Sequence, residues 1–257
     1  MEKLAVVKVG GSVITDKTKN FTVNTKNIDR VASALKALYS KGWSLVVIHG
    51  GGSFGHPVAA AYNLNGKVSP QRLSRGFAEI RYWMTVLNTR FTRKLLSAGV
   101  PASPLQTSAI AFNRDGELCR LDTRVVYSFL EIGAVPVLYG DVVVDTRRGA
   151  SILSGDDVAA RLSVALDASR LVYVMGAGGV YDRPPSMPGA RLLREISPES
   201  RLVVGESRGV DVTQGLRRKL LAAFWAAQRG VPVAIGGVSS IIEMVEGGEG
   251  EYTRIIV

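Results

Sequence analysis

Cysteine is nearly absent from this 257-residue chain, in which Cys119 stands alone. That excludes an internal disulfide framework and a cysteine-based zinc cluster. Histidine is almost as scarce, with only His49 and His56. No apolar run reaches the length of a membrane span. The chain enters the strand-like Leu4–Val9 directly, with no visible signal peptide. The expectation is a cytoplasmic protein with no membrane role. Acidic residues are the minority charge: 22 Asp and Glu stand against 32 Lys and Arg, a formal net charge of +10. Such a surplus raises the question of nucleic acid. The basic residues are scattered, however, and the densest group is Arg217-Arg218-Lys219. Aromatics do not interleave with them as RNA-binding surfaces require. We therefore expect no nucleic-acid partner, and a basic surface that serves a small anionic substrate.

What is present is ordinary for a globular protein: 46% hydrophobic and 21% charged residues. Apolar runs alternate with helical patterns. Strands are expected at Leu4–Val9, Ser44–His49, Val135–Tyr139, Leu171–Met175, Val231–Ile235 and Arg254–Val257. Helices are expected at Asn27–Lys41, Leu73–Ala98, Arg124–Glu131, Asp156–Leu166, Gly215–Arg229 and Ser239–Glu246. The Val/Ile/Leu runs fit strands covered on both faces. The pattern predicts an α/β fold, a three-layer αβα sandwich with a mostly parallel central sheet. Two β-hairpins are added, one turning at Asn113–Gly116 and one at Thr146–Gly149. Gly178–Gly189 reads as a surface loop. One domain spans 1–257, with lobes 1–170 and 171–257.

Chemistry concentrates around two glycine turns. In Val46–His56 an apolar strand runs into Gly50-Gly51-Gly52, and His56 follows. Glycines there let backbone N–H groups approach an anion. A helix starting just afterwards, near His56 and Pro57, would aim its positive end at the same spot. In Lys8-Val9-Gly10-Gly11-Ser12 the lysine precedes the glycines, unlike a Walker A loop. By itself Lys8 is a strand-end lysine in water. With a second glycine turn after the next parallel strand, both turns lie at the carboxyl edge where ligands gather.

The remaining candidates have plain structural alternatives. His49 fits a hydrogen-bonded core residue, and His56 fits either a phosphate donor or a helix cap. Asp156 and Asp157, after Ser154-Gly155, suit a helix N-terminus; alternatively Asp156 orients lysines or holds Mg²⁺ through water. Lys219, one turn inside the helix opened by Thr213 or Gly215, lies on a basic face or in a phosphate site. Lys17 alone says little.

Together, Lys8–Lys17, His49–His56, Tyr139–Val142, Ser154–Asp157 and Asp211–Thr213 resemble the amino acid kinase family, in the family's order and across nearly the whole chain. The Ile14-Thr15-Asp16-Lys17 and Gly50–His56 segments resemble its branch that phosphorylates isopentenyl phosphate. The resemblance implies an amino acid kinase-like fold, ATP as phosphoryl donor, Mg²⁺, a small phosphate substrate and a homodimer. It implies that Lys8, Gly10, Gly11, Gly52, Gly176, Gly215 and Lys219 bind the nucleotide. Gly51, His56 and Gly155 would hold the acceptor phosphate, Lys17 would stabilise the transferring group, and Asp156 would organise the lysines. Two departures fall on the nucleotide side. The family's Asp-Val-Asp-Gly is here Gly176-Ala177-Gly178-Gly179, and its Thr-Gly-Gly is Thr213-Gln214-Gly215.

A phosphate acceptor suits this residue set. A phosphate monoester is largely dianionic at neutral pH, its second pKa being about 6, so it needs no general base. The obstacle is charge, since two unit charges 4 Å apart repel by roughly 4 kcal/mol at an effective dielectric near 20. Several cations and no convincing base is the pattern such chemistry calls for. The helix Leu73–Ala98, with Phe77, Ile80, Tyr82, Trp83, Met84, Val86 and Leu87, offers an apolar slot for a five-carbon tail, or ordinary packing. Other readings are a kinase of another phosphate or phosphonate such as fosfomycin, and a non-catalytic nucleotide-binding protein. A carboxylate kinase has less use for His56.

Overall fold

Every residue of Leu4–Val9 is buried, and the segment forms strand β1 near the middle of an eight-stranded sheet in the computed structural model. The structure describes residues 3–16, 18–64, 68–200 and 214–257. Leu4 and Val6 enter one apolar cluster, whereas Ala5, Val7 and Val9 enter another, because successive strand side chains point to opposite faces. The sheet must therefore be covered on both sides.

After β1 come helices α1 (Gly11–Ile14) and α2 (Thr25–Ser40), strand β2 (Ser44–His49), and helices α3 (Gly52–Tyr62) and α4 (Pro70–Ser97). Strands β3 (Ala102–Pro104), β4 (Ala111–Arg114) and β5 (Glu117–Leu121) lead to helix α5 (Thr123–Glu131). Then follow β6 (Val135–Tyr139), β7 (Asp141–Asp145), β8 (Gly149–Leu153), α6 (Gly155–Ala165), β9 (Arg170–Val174) and β10 (Glu195–Ile196). The chain closes with α7 (Gln214–Ala227), β11 (Val233–Gly236), α8 (Ile241–Glu246) and β12 (Tyr252–Ile255).

The large sheet has the order β10-β12-β11-β9-β1-β2-β6-β3. Its pairs are parallel except β11 with β12. Helices α2, α4 and α8 supply Leu35, Phe91 and Met244 to the core on one face. Helices α5, α6 and α7 supply Leu130, Leu162 and Leu220 to the other. This is the three-layer α/β arrangement that the alternating pattern requires.

The two hairpins join into a second sheet, β5-β4-β7-β8. Asp115 and Gly116 both take positive φ, 55° and 87°, the geometry of a two-residue hairpin turn. Between this sheet and helices α3 and α4 lies a third apolar cluster that includes Val58, Ile80, Met84, Val142 and Ala150.

The structure corrects several expectations. The helix expected beyond the glycine turn begins within it, at Gly52, so His56 lies in its second turn and Pro57 is inside the helix. Proline removes one helical N–H. The Ser53 carbonyl left without it accepts from the Phe21 N–H at 3.2 Å. The strand expected from Val231 starts at Val233, because Pro232 has no N–H to give. The last strand begins at Tyr252 rather than Arg254. The short strands β3 and β10 extend the sheet at its two edges and were not expected.

Candidate active site

Strands β1, β2 and β9 are parallel neighbours, and the chain leaves β1 toward β2 on one side and returns to β9 on the other. Ligands bind at the carboxyl ends of strands at such a reversal. A cleft of about 990 Å³ opens there.

The two glycine turns meet at its floor. A Cβ on Gly11 would lie 2.2 Å from the Gly52 nitrogen, and one on Gly50 would lie 2.6 Å from the Gly11 nitrogen. Only glycine lets these turns touch. Thr15 ties them further: its Oγ1 donates to the Gly11 carbonyl at 2.8 Å and accepts from the Ser53 N–H at 3.0 Å. A third close approach joins Gly140 and Gly155, where a Cβ on Gly140 would lie 2.8 Å from the Gly155 nitrogen. Helices α3 and α6 both begin at the cleft, with their N-terminal ends toward it. That arrangement favours an anion.

Three buried charges converge beneath these turns. Lys8 Nζ lies 2.7 Å from Asp156 Oδ1, and Lys219 Nζ donates to the same oxygen at 2.8 Å. Lys8 comes from the end of β1, Asp156 from the first turn of α6, and Lys219 from α7. Burial opposes ionisation of Asp156, but the two ammonium groups outweigh it and hold the carboxyl well below the ordinary range. Burial and the neighbouring Lys8 push Lys219 down to about 8, with Asp156 opposing. The cluster carries one surplus positive charge, which a bound anion would complete.

Ser154 caps α6 by accepting the Asp156 N–H at 3.1 Å, so capping and lysine binding coexist at this helix start. Asp157 turns the other way and holds Arg218 at 2.7 Å.

His56 reaches the cleft from α3. Its pKa is lowered by partial burial and by Lys8, and among the described residues no hydrogen bond holds its ring. His49 instead lies wholly in the core. It contacts the Gly50 carbonyl at 3.0 Å and Asn88 at 3.2 Å, and burial lowers its pKa to about 4. The apolar end of the cleft comprises Pro57 and Ala59 of α3, Ile80 and Met84 of α4, and Ile152 of β8. Of the α4 residues proposed for a tail slot, only Ile80 and Met84 reach it. Trp83 stacks on Phe21 at 3.8 Å, Leu87 is in the core, and Tyr82 points outward.

Lys8, Gly10, Gly11, Gly51, Gly52, His56, Gly155, Asp156, Gly176, Gly215 and Lys219 all line this one cleft. Lys17 and the Asp211–Thr213 segment lie outside the described residues. Among the described residues, a Cβ on Gly176 or Gly215 would meet no atom within 4 Å, so both sit at an open part of the wall. Asp141 also lines the cleft. It is buried, accepts from the Val142 and Ser108 N–H groups at 2.9 and 3.2 Å, and burial raises its pKa to about 6. The sequence signal for it was Gly140-Asp141 after β6, to which no role had been attached.

The chain matches the Amino acid kinase family model over residues 3–237. It is 35% identical over 237 residues to isopentenyl phosphate kinase of Methanothermobacter thermautotrophicus, covering 89% of this chain and 88% of that protein. A solved isopentenyl phosphate kinase superposes with a TM-score of 0.85 at 33% identity, covering 98% of this chain and 100% of that one. The T. acidophilum isopentenyl phosphate kinase product complex superposes with a TM-score of 0.82 at 27% identity, covering 99% and 100%.

Proposed function

The chain belongs to the amino acid kinase family, and from that premise we propose that it transfers the γ-phosphoryl group of ATP to isopentenyl phosphate. Its relatives carry that activity in their names, which does not favour a fosfomycin kinase or a non-catalytic nucleotide-binding protein. One observation carries the reading within the structure: two lysines share a single buried carboxylate oxygen beneath helix N-termini, between His56 and an open glycine wall.

An oxygen of the acceptor phosphate attacks the γ-phosphorus, the bond to the β,γ-bridging oxygen breaks, and ADP leaves. The attacking oxygen is already deprotonated at neutral pH, so no side chain has to remove a proton. The protein's task is to hold two polyanions in line and to neutralise them. Lys8 with Gly10, Gly11 and Gly52 receives the donor phosphates. Gly176, Gly215 and Lys219 complete the nucleotide side, and Lys17 is assigned to the transferring group. Gly51, His56 and Gly155 receive the acceptor phosphate, while Asp156 keeps Lys8 and Lys219 aimed together. In this reading residues 1–170 form the acceptor lobe and 171–257 the nucleotide lobe.

Ile80, Met84 and Ile152 take the five-carbon tail, worth about 0.8 kcal/mol per buried methylene-sized group. Mg²⁺ would ride on the donor phosphates and supply further neutralisation, as it commonly does without an all-protein cage. This fits a cleft whose Asp156 is already committed to lysines. A homodimer in the cytoplasm completes the proposal.

The test is ADP release by the purified protein with Mg-ATP across isopentenyl phosphate, dimethylallyl phosphate, fosfomycin, glutamate and a nucleoside monophosphate. Isopentenyl phosphate should give the highest kcat/KM, with isopentenyl diphosphate as product. No turnover by a folded sample that binds ATP would overturn the reading.

A further inference from the structure

Tyr173 lies in β9, directly opposite Lys8 of β1 in the sheet register. It is wholly buried and shares a sheet face with Leu171, toward α6 and α7. Ile235 of β11 is its register partner on the other side, and a buried hydroxyl is costly unless it is bonded. Here it is: the Tyr173 hydroxyl donates to the main-chain carbonyl of Asp156 at 3.1 Å. The same ring lies under Lys219, whose Nζ is 4.8 Å from the ring centroid. One side chain therefore touches the main chain of Asp156 and the ammonium of Lys219, and is paired in register with Lys8.

We propose that Tyr173 is a positioning residue for phosphoryl transfer: its ring holds the Lys219 ammonium charged and in place, and its hydroxyl anchors the first turn of α6, so that both lysines keep one geometry on Asp156. The assignment to phosphoryl transfer rests on the function proposed above. Burial and the nearby Asp156 and Asp157 raise the phenol pKa well above 10, so the hydroxyl remains a donor throughout the working range. A cation over an aromatic face within about 6 Å is attracted by the ring quadrupole, more strongly when desolvated. Among the described residues, the other charges facing Lys219 are Lys8 from β1 and Asp156 from α6. The Arg218–Asp157 pair lies beside them on α7 and α6.

Fluorination of the ring separates this role from packing, because it weakens the quadrupole with little change of shape. Phenylalanine, 4-fluorophenylalanine and 3,4,5-trifluorophenylalanine would be placed at position 173 of the full chain. The Lys219 side-chain titration would be followed by NMR in the ligand-free protein, and the pH profile of kcat/KM for ATP would be measured alongside. Tyr173→Phe keeps the ring but frees the first turn of α6, so it should lower kcat a few-fold, and its Lys219 titration is the reference for the fluorinated series. The trifluoro ring should lower the Lys219 titration by about half a unit and move the alkaline limb of the profile the same way, about twofold in kcat/KM at pH 8. A titration unchanged along the series overturns the proposal. The NMR readout needs no turnover, so a wild-type protein inactive on isopentenyl phosphate would defeat the kinase reading while leaving this one to be judged separately. A Tyr173→Leu variant that folds should lose both contacts. If it retains the wild-type pH profile, the proposal also fails.

Discussion

Asp145 and Asp156 are both buried aspartates held ionised, yet they are satisfied in opposite ways. Asp145 sits where the two hairpins meet. It accepts from the N–H groups of Asp115, Gly116, Arg147 and Arg148 and from the Ser151 hydroxyl, at 2.7–3.1 Å. Asp156 sits at the cleft floor and is met by two lysine ammonium groups on one oxygen. The first carboxylate is solvated by fixed dipoles, and the corner it stitches together asks for no ligand. The second leaves a surplus of positive charge at the floor of an open cleft. Asp145 is closed by backbone dipoles, whereas the charges around Asp156 are unbalanced until an anion arrives, which makes Asp156 the candidate for function.

Substitution of the two acids should separate these roles. Asp156→Asn should lower kcat by about a hundredfold or more, because both lysines lose their common anchor and electrostatic preorganisation goes with it. Steady-state kinetics on folded protein measures this. Activity within a few-fold of wild type would break the comparison at its functional end.

Asp145→Ala should act on stability, costing about 2 kcal/mol by leaving the turn N–H groups and the Ser151 hydroxyl without their common acceptor, while kcat stays near wild type. Denaturant unfolding read beside kinetics tests both halves. The folded pKa of Asp145 lies below the unfolded value of about 3.9. The stability it adds is therefore complete above that value and lost as pH falls below it, and the variant should show a shallower acid transition.

The smallest effect belongs to His56, at the rim of the cleft. His56→Ala should cost about tenfold in kcat/KM for the acceptor, the worth of one charge-assisted hydrogen bond, with ATP binding little changed. Equal losses for donor and acceptor would remove His56 from the acceptor side.

The same contrast explains what could be read from the sequence. The two glycine turns after buried strands were legible together, and they gave Lys8 its meaning; Asp156 read equally well as a helix-start acid, because its two lysines lie on β1 and α7. Both sheet faces were legible because β1, β2 and β9 are apolar at every pleat apart from isolated polar side chains. The start of α3 was not, because Gly50-Gly51-Gly52 reads as a turn. What makes glycine necessary there is contact with Gly11, more than 35 residues away in sequence. Tyr173 resembled one more apolar strand residue, since its partners lie on α6 and α7. Asp145 resembled the end of a hairpin strand, with two of its donors coming from the other hairpin. The edge strands β3 and β10, three and two residues long, are too short to carry a period. The acidic pair missing at Gly176 and Gly178 was visible at once, and Gly176 proves to face open cleft.

The central claim is that cations gathered on Asp156 bring two phosphates together without a base. A structure of the protein with isopentenyl phosphate and a non-hydrolysable ATP analogue tests it most directly. The account predicts the γ-phosphate against Lys8 and Lys219, the acceptor phosphate at Gly51, His56 and Gly155 with one oxygen in line for attack, and the tail against Ile80 and Met84. An acceptor phosphate bound away from His56, or a carboxylate within hydrogen-bond reach of the attacking oxygen, would contradict it.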